Sequence, residues 1–373
     1  MLKHPSIDRL VKAACTIALA FAPTILHADT FSQINLVSNE PNLAAVTDPH
    51  LINPWGLSFS ATSPFWASDQ GAGVSTLYNG AGAITPLVVT IPSGGPPSGP
   101  TGTVFNAGPT GGFLVGATKA SFIFDTLNGT IAAWNAGTTA TVEATVAGAT
   151  FTGLTQNVVG SNTYLYAANS SPNGNIQVFD QNWNNVTSTV FSGQFANPQP
   201  KSGAVPFNIQ QIGANLYVTY ANLGPTGNAL PGGYVVEYDA SGNFIQMITS
   251  GPLAAPWGIT LAPANFGSFS NDLLIGQFGS GEILAYDPTT DAFLGTLDGA
   301  GGAPIVDHNL WALATRTVGS GDDPNGVFFT AGIGNQQDGL FGEITEVPEP
   351  ATIFGTASGL FAFAMFKIRS RLR

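Results

Sequence analysis

One pattern constrains this chain more than any other: a unit of about 50 residues recurs six times across its body. The strongest copies of the opening strand are NPWGLSF at 53, APWGITL at 255 and NLWALAT at 309. Weaker copies are PTGTVFN at 100, FTGLTQN at 151 and PFNIQQI at 206. The second half of the unit repeats as well, as an apolar strand, a polar loop, a Gly and a strand ending in an aromatic and Asp or Asn. LYAANSSPNGNIQVFD and LLIGQFGSGEILAYD are examples. With Gly56, Gly102, Gly153, Asn208, Gly258 and Ala312 taken as equivalent, the spacings are 46, 51, 55, 50 and 54. Apolar alternation over short runs bounded by Gly, Pro, Asn and Asp identifies strands, and no run keeps helical spacing. Six such units predict an all-β, six-bladed β-propeller with four strands per blade. A solenoid fits less well, because its ends would want capping repeats.

Strand counting predicts how the ring shuts. Units one to five each supply a fourth strand, such as ITPLVVTIP, FIQMITSG and AFLGTLDG, whereas the sixth ends at Val347 with three. The segment FSQINLVSNEP, ahead of the first unit, is free to complete it. Residues 31–37 are therefore expected to pair beside the last blade and satisfy an otherwise open edge.

The two termini read differently from the body. Residues 1–28 carry Lys3, Arg9 and Lys12 before the apolar run 13–25, with Ala28 suited to the position before a cut, and read as a signal peptide. The one cysteine, Cys15, lies inside this segment, so the mature body is expected to contain neither disulfides nor thiol chemistry. At the other end, Pro348-Glu349-Pro350 leads into an apolar segment over about 351–366 and a tail holding Lys367, Arg369, Arg371 and Arg373. Some 14 residues at 1.5 Å each span about 21 Å, short of a hydrocarbon core of roughly 30 Å. Flanking residues extend this to a marginal span, and the basic tail would hold its end on the cytoplasmic side. Both terminal helices are expected to stand outside the fold. The body, 29–347, then keeps three basic and 20 acidic residues, a formal charge of −17. Such a body repels phosphate backbones, which excludes nucleic acid as a partner.

The three-part C-terminus resembles the PEP-CTERM sorting signal of Gram-negative bacteria. That resemblance implies export through the Sec machinery, transient anchoring in the inner membrane, recognition by an exosortase, and delivery to the cell surface or outside. The blades are similar to NHL-type repeats, in which P-x-G-I precedes L-Y-V-A-D and a later G-x-I-x-V-F-D. DPHLINPWGLSF (48–59), PFNIQQIG (206–213), APWGITLAPANFGSFS (255–270), FLGTLDGAGGAPI (293–305) and LFGEITEV (340–347) resemble a family of uncharacterised exported bacterial proteins with this tail. The resemblance implies fold and destination and assigns no chemistry.

Signatures of catalysis are absent: no G-x-S-x-G elbow, H-E-x-x-H helix, P-loop or G-x-G-x-x-G fingerprint occurs, and no catalytic residue is assignable. The body holds two histidines, His50 and His308. Blade geometry places the loop leading into each innermost strand on the same face as the loop between second and third strands. Asp48, His50, Asn53, Asp307 and His308 are expected on that face, with Asp69, Asp125, Asn169 and Gln277. Trp55, Trp257 and Trp311 begin inner strands near the channel mouth, beside Asn208. A mouth ringed by aromatics, amides and a few carboxylates would suit a sugar or a divalent cation such as calcium, and no other cofactor is implied. A plainer expectation stands beside it, with the tryptophans wedged between blades and the Asp or Asn after each third strand capping a turn. The leading functional expectation is an exported binding or structural protein of the envelope or matrix, recognising exopolysaccharide or another surface partner. The alternative is a metal-dependent propeller hydrolase or lactonase, with Asn53, Asn208 and Asp307 as ligands and His50 or His308 as base.

Overall fold

A computed structural model describes residues 29–93, 99–199, 203–224, 230–316 and 322–347. The signal segment 1–28, Pro348, Glu349, Pro350, the apolar stretch 351–366 and the basic tail Lys367, Arg369, Arg371 and Arg373 lie outside the described residues. No helix among the described residues is long and apolar enough to cross a membrane.

Six sheets stand around one axis, in the expected order, antiparallel throughout except that the two-residue strand Val46–Thr47 lies parallel to the end of the closing strand. Blade 1 holds Pro54–Ser58, Phe65–Asp69, Val74–Tyr78 and Ile84–Thr90. Blade 2 holds Pro100–Phe105, Phe122–Thr126, Thr130–Trp134 and Thr141–Thr145. Blade 3 holds Phe151–Val159, Asn162–Asn169 and Ile176–Phe179. Blade 4 holds Val205–Ile212, Asn215–Ala221, Tyr234–Tyr238 and Phe244–Ile248. Blade 5 holds Pro256–Leu261, Leu273–Gln277, Ile283–Tyr286 and Phe293–Thr296. Blade 6 holds Leu310–Thr315, Val327–Ala331 and Leu340–Val347. Its fourth strand is Thr30–Ser38, antiparallel to the last, with Thr30 opposite Val347 and Ser38 opposite Leu340. The ring closes as expected. The closing strand is anchored by packing too: Phe31 is buried against Phe266 and Phe269 of blade 5, with ring centroids 4.8 and 5.9 Å apart.

Blade 3 departs from the expectation of a fourth strand in each of the first five units. Its sheet has three strands, and residues 184–199 run as turns over its outer edge. Val186 begins as a strand would, its N–H bonding Val178 O at 2.8 Å. Its own carbonyl then accepts from Thr189, Val190 and Phe191, which coils the chain away from the edge.

The repeated small residues explain the ring's tightness. A Cβ on Gly56 would come within 2.6 Å of Thr101 O, one on Gly102 within 2.3 Å of Leu154 N, and one on Gly258 within 2.3 Å of Trp311 O. At these three positions adjacent inner strands thus touch backbone to backbone, and a larger residue would clash. Where Asn208 replaces Gly, its side chain continues the circuit by donating to Trp257 O at 2.8 Å. Apolar packing follows the same plan. Six buried clusters each join two neighbouring blades, and a seventh sits on the axis.

Candidate functional site at the channel mouth

Three inner strands begin alike. Asn53, Ala255 and Asn309 have φ of 48°, 50° and 56°, and each is followed by Pro or Leu and then Trp. This left-handed residue turns the chain sharply into the inner strand, a conformation that Asn tolerates better than most residues. The turn throws Trp55, Trp257 and Trp311 inward across the axis.

They meet each other. Trp55 stacks on Trp311 with centroids 3.5 Å apart, and Trp257 stands edge-on to both at 6.2 and 5.6 Å. Phe207, from blade 4 on the far side, contacts Trp55 and Trp311, and Phe278 lies 4.2 Å from Trp311. The indole N–H of Trp257 reaches Thr152 O in blade 3 at 2.9 Å, so one side chain bridges the channel. All five rings are buried, Trp311 to 1% exposure. The expected open ring of aromatics is therefore a plug. Its rings are spent on one another, and neither a sugar face nor an interblade wedge describes them. Beneath it the channel narrows to a void of about 20 Å³ between inner strands, room for about one water.

The polar residues expected at the mouth are placed at different radii. Asn53 lies over the plug, accepting from the Trp311 indole at 2.9 Å and donating to Gln70 Oε1 at 2.7 Å and Gln336 Oε1 at 3.3 Å. Asn208 is committed to Trp257 O. Asp48 is buried farther out, where Tyr78 OH donates to one carboxylate oxygen at 2.9 Å and His50 Nδ1 lies 3.0 Å from the other. His50 itself is exposed. Asp307 sits at the seam of blades 5 and 6, accepting from Gln33 of the closing strand at 2.9 Å, and its neighbour His308 is exposed. Burial pushes the Asp307 carboxyl up to about 6. Asn53, Asn208 and Asp307 each have separate work, and the structure does not gather them as a ligand set. Among the described residues, no three His, Cys, Asp or Glu side chains converge as metal ligands.

The residues closing the second strands act as clips. Asp125 accepts from Thr101 OH at 2.7 Å and Gly102 N–H at 2.5 Å, and burial pushes its carboxyl up to about 7. Asp69 accepts from Thr76 OH at 2.7 Å, and burial holds it well above the usual carboxylate range. Asn169 caps Thr150 N–H and Gln277 caps Ala254 N–H, at 2.9 and 2.8 Å. The Asp residues after third strands cap turns, as the plainer expectation had it. Asp180, Asp239 and Asp287 each accept backbone N–H bonds from residues two to four places ahead. Backbone donors from Thr289 and Thr290 hold the Asp287 carboxyl below its ordinary value.

Phe207, Phe278, Gln70 and Gln336 complete the mouth without having been singled out in the sequence. Phe207 had a signal: PFNIQQI aligns with NPWGLSF, which sets it level with Trp55. Gln336 had a regional signal, since it belongs to GIGNQQDG (332–339), a long insertion expected on this face; it rides there on a left-handed turn in which Gly334, Asn335 and Gln336 all have positive φ.

No family model matches the chain. It is 33% identical over 334 residues to uncharacterised protein R648 of Acanthamoeba polyphaga mimivirus, covering 85% of this chain and 81% of that one. It is 29% identical over 326 residues to protein L690 of the same virus, also uncharacterised, covering 83% and 84%. Among solved structures, a streptogramin B lyase gives a TM-score of 0.43 at 14% identity, covering 85% of this chain and 97% of that one. Hydrazine synthase of Kuenenia stuttgartiensis gives 0.47 at 15% identity, with coverage of 78% and 80%.

Proposed function

This chain belongs to the family of mimivirus protein R648, and from that premise we propose that it is a binding or structural β-propeller that engages a surface saccharide or partner through its outer surface. One observation carries the reading. The recess that would receive a substrate on the axis is filled by five aromatic side chains in mutual contact. An acidic body with few basic residues, rich in Gly, Asn, Ser and Thr, fits recognition of neutral hydroxylated material better than of phosphates. Export to the envelope or exterior, with the Sec machinery and an exosortase as transient partners, is supported by the sequences of 1–28 and 348–373.

Affinity electrophoresis of the full-length chain through gels containing a neutral polysaccharide tests the binding. Retardation is expected, unchanged by a chelator. Cation-dependent hydrolysis of simple lactones or esters, abolished by His50→Ala, would overturn the reading. Export is checked by fractionating cells that express the chain with and without residues 348–373. Identical partitioning of the two would remove the sorting role.

A further inference from the structure

The outer edge of blade 3 is where the fold leaves room. The strand Ile176–Phe179 is covered at its lower end, where Val178 N–H donates to Thr187 Oγ1 at 2.8 Å and Phe179 bridges to Asn185. Beyond that the chain coils and drives Phe191 and Phe195 inward. Phe191 meets Tyr164 at 4.9 Å and Tyr166 at 5.8 Å, and Phe195 meets Tyr238 at 5.3 Å. A full fourth strand would occupy this space. Instead a cleft of about 450 Å³ lies between the coil and the start of blade 4.

The lining of this cleft differs from that of two others. A cleft of about 330 Å³ includes Asp180, and one of about 420 Å³ includes Glu40 and Asp338. Among the described residues that line the blade 3 cleft none is charged, although the body carries 20 acidic residues. Phe191, Phe195, Pro206 and Tyr220 are buried beneath its floor, and carboxamides and hydroxyls supply the rim. Ser188, Ser192 and Gln194 make no side-chain hydrogen bond within the described residues, so their donors and acceptors face the opening unspent. A cleft of this size, within the roughly 300–1,000 Å³ of small-ligand pockets, with free hydroxyl and amide groups on its rim, suits one or two sugar rings. A charged ligand would find no counter-ion among the described lining residues.

Resting on the saccharide reading above, we infer that the cleft between blades 3 and 4 is the binding site for a neutral saccharide. Rim hydroxyls and Gln194 contact the sugar hydroxyls.

Calorimetric titration of the full-length chain with cellohexaose, maltohexaose and chitohexaose, against an oligouronate of equal length, tests this. Wild type is expected to bind a neutral probe and not the oligouronate. Gln194→Ala is expected to weaken binding about tenfold, and Ser192→Trp, a change at an exposed position, to abolish it with the melting temperature unchanged. Neutral-probe binding that survives both substitutions would overturn the cleft and leave the saccharide reading standing. Binding of the oligouronate alone would also overturn the cleft. Absence of binding to any of the four would remove the saccharide reading itself.

Discussion

The axis and the outer edge of blade 3 are both interruptions of a regular repeat, and they are filled in opposite ways. On the axis, small residues draw the inner strands into backbone contact, tryptophans from blades 1 and 6 meet Phe207 of blade 4 across the gap, and Trp257 of blade 5 stands edge-on to both tryptophans. No usable space remains. At the edge of blade 3, a strand is omitted and two phenylalanines seal the sheet, leaving a cleft outside them. The difference teaches that aromatic residues in this fold mark closure, and that open space is found where strand pairing stops.

That contrast sets an order of damage. The severest change lies at neither site: deleting 29–40 removes the closing strand, with buried Phe31, Leu36 and Val37. Each such side chain is worth about 1.5–3 kcal/mol, and the last blade would also lose its partner ladder. Loss of cooperative thermal unfolding is expected, and an unchanged melting temperature would show that the ring does not depend on this seam.

Next comes the plug. Trp311→Ala opens a cavity among four other rings and strands the acceptor on Asn53, and a loss of about 3–5 kcal/mol is expected in chemical denaturation. A cost below about 1 kcal/mol would mean that the mouth is loosely filled and the contrast with blade 3 is false.

The buried carboxyls give an intermediate effect with a definite sign. Asp125 and Glu343 are pushed up to about 7, and Asp307 to about 6, chiefly by burial. Their folded values exceed the unfolded ones, so between about pH 4 and pH 7 the folded chain binds more protons. Stability is then full below that window and falls as pH rises through it. The melting temperature should be higher near about pH 5 than near about pH 8, and Asp125→Asn should flatten part of the slope. A melting temperature that climbs over that range would contradict the assignment.

Smallest is the edge itself. Thr187→Val removes the hydroxyl that accepts from Val178 N–H, at an expected cost of about 1 kcal/mol. A penalty as large as that of Trp311→Ala would make the blade 3 coil a core element and weaken its standing as a binding edge.

The sequence carried the periodicity, the closure and the turn caps, because each depends on local residue type at fixed spacing. It placed Trp55, Trp257 and Trp311 at strand starts correctly. Whether they ring a mouth or fill it depends on how near the opposite strands come, and only the assembled ring shows that. A clue lay in the small residue after each tryptophan, which signals close approach. Blade 3 misled for another reason. NNVTSTVFSGQF has the β-branched content of a strand, yet burying Phe191 and Phe195 against Tyr164, Tyr166 and Tyr238 outweighs that propensity. The scattering of Asp48, Asn53, Asn208 and Asp307 was likewise illegible, since loops on one face share a side of the disc without sharing a radius.

The most direct test of the closed axis is hydrogen exchange at the indole N–H groups, followed by NMR during saccharide titration. Trp257 and Trp311, bonded to Thr152 O and Asn53 Oδ1, should exchange slowly and keep their resonance positions as the saccharide is added. Rapid exchange, or indole shifts that track the titration, would show that the mouth opens to ligand and that the plug is no plug.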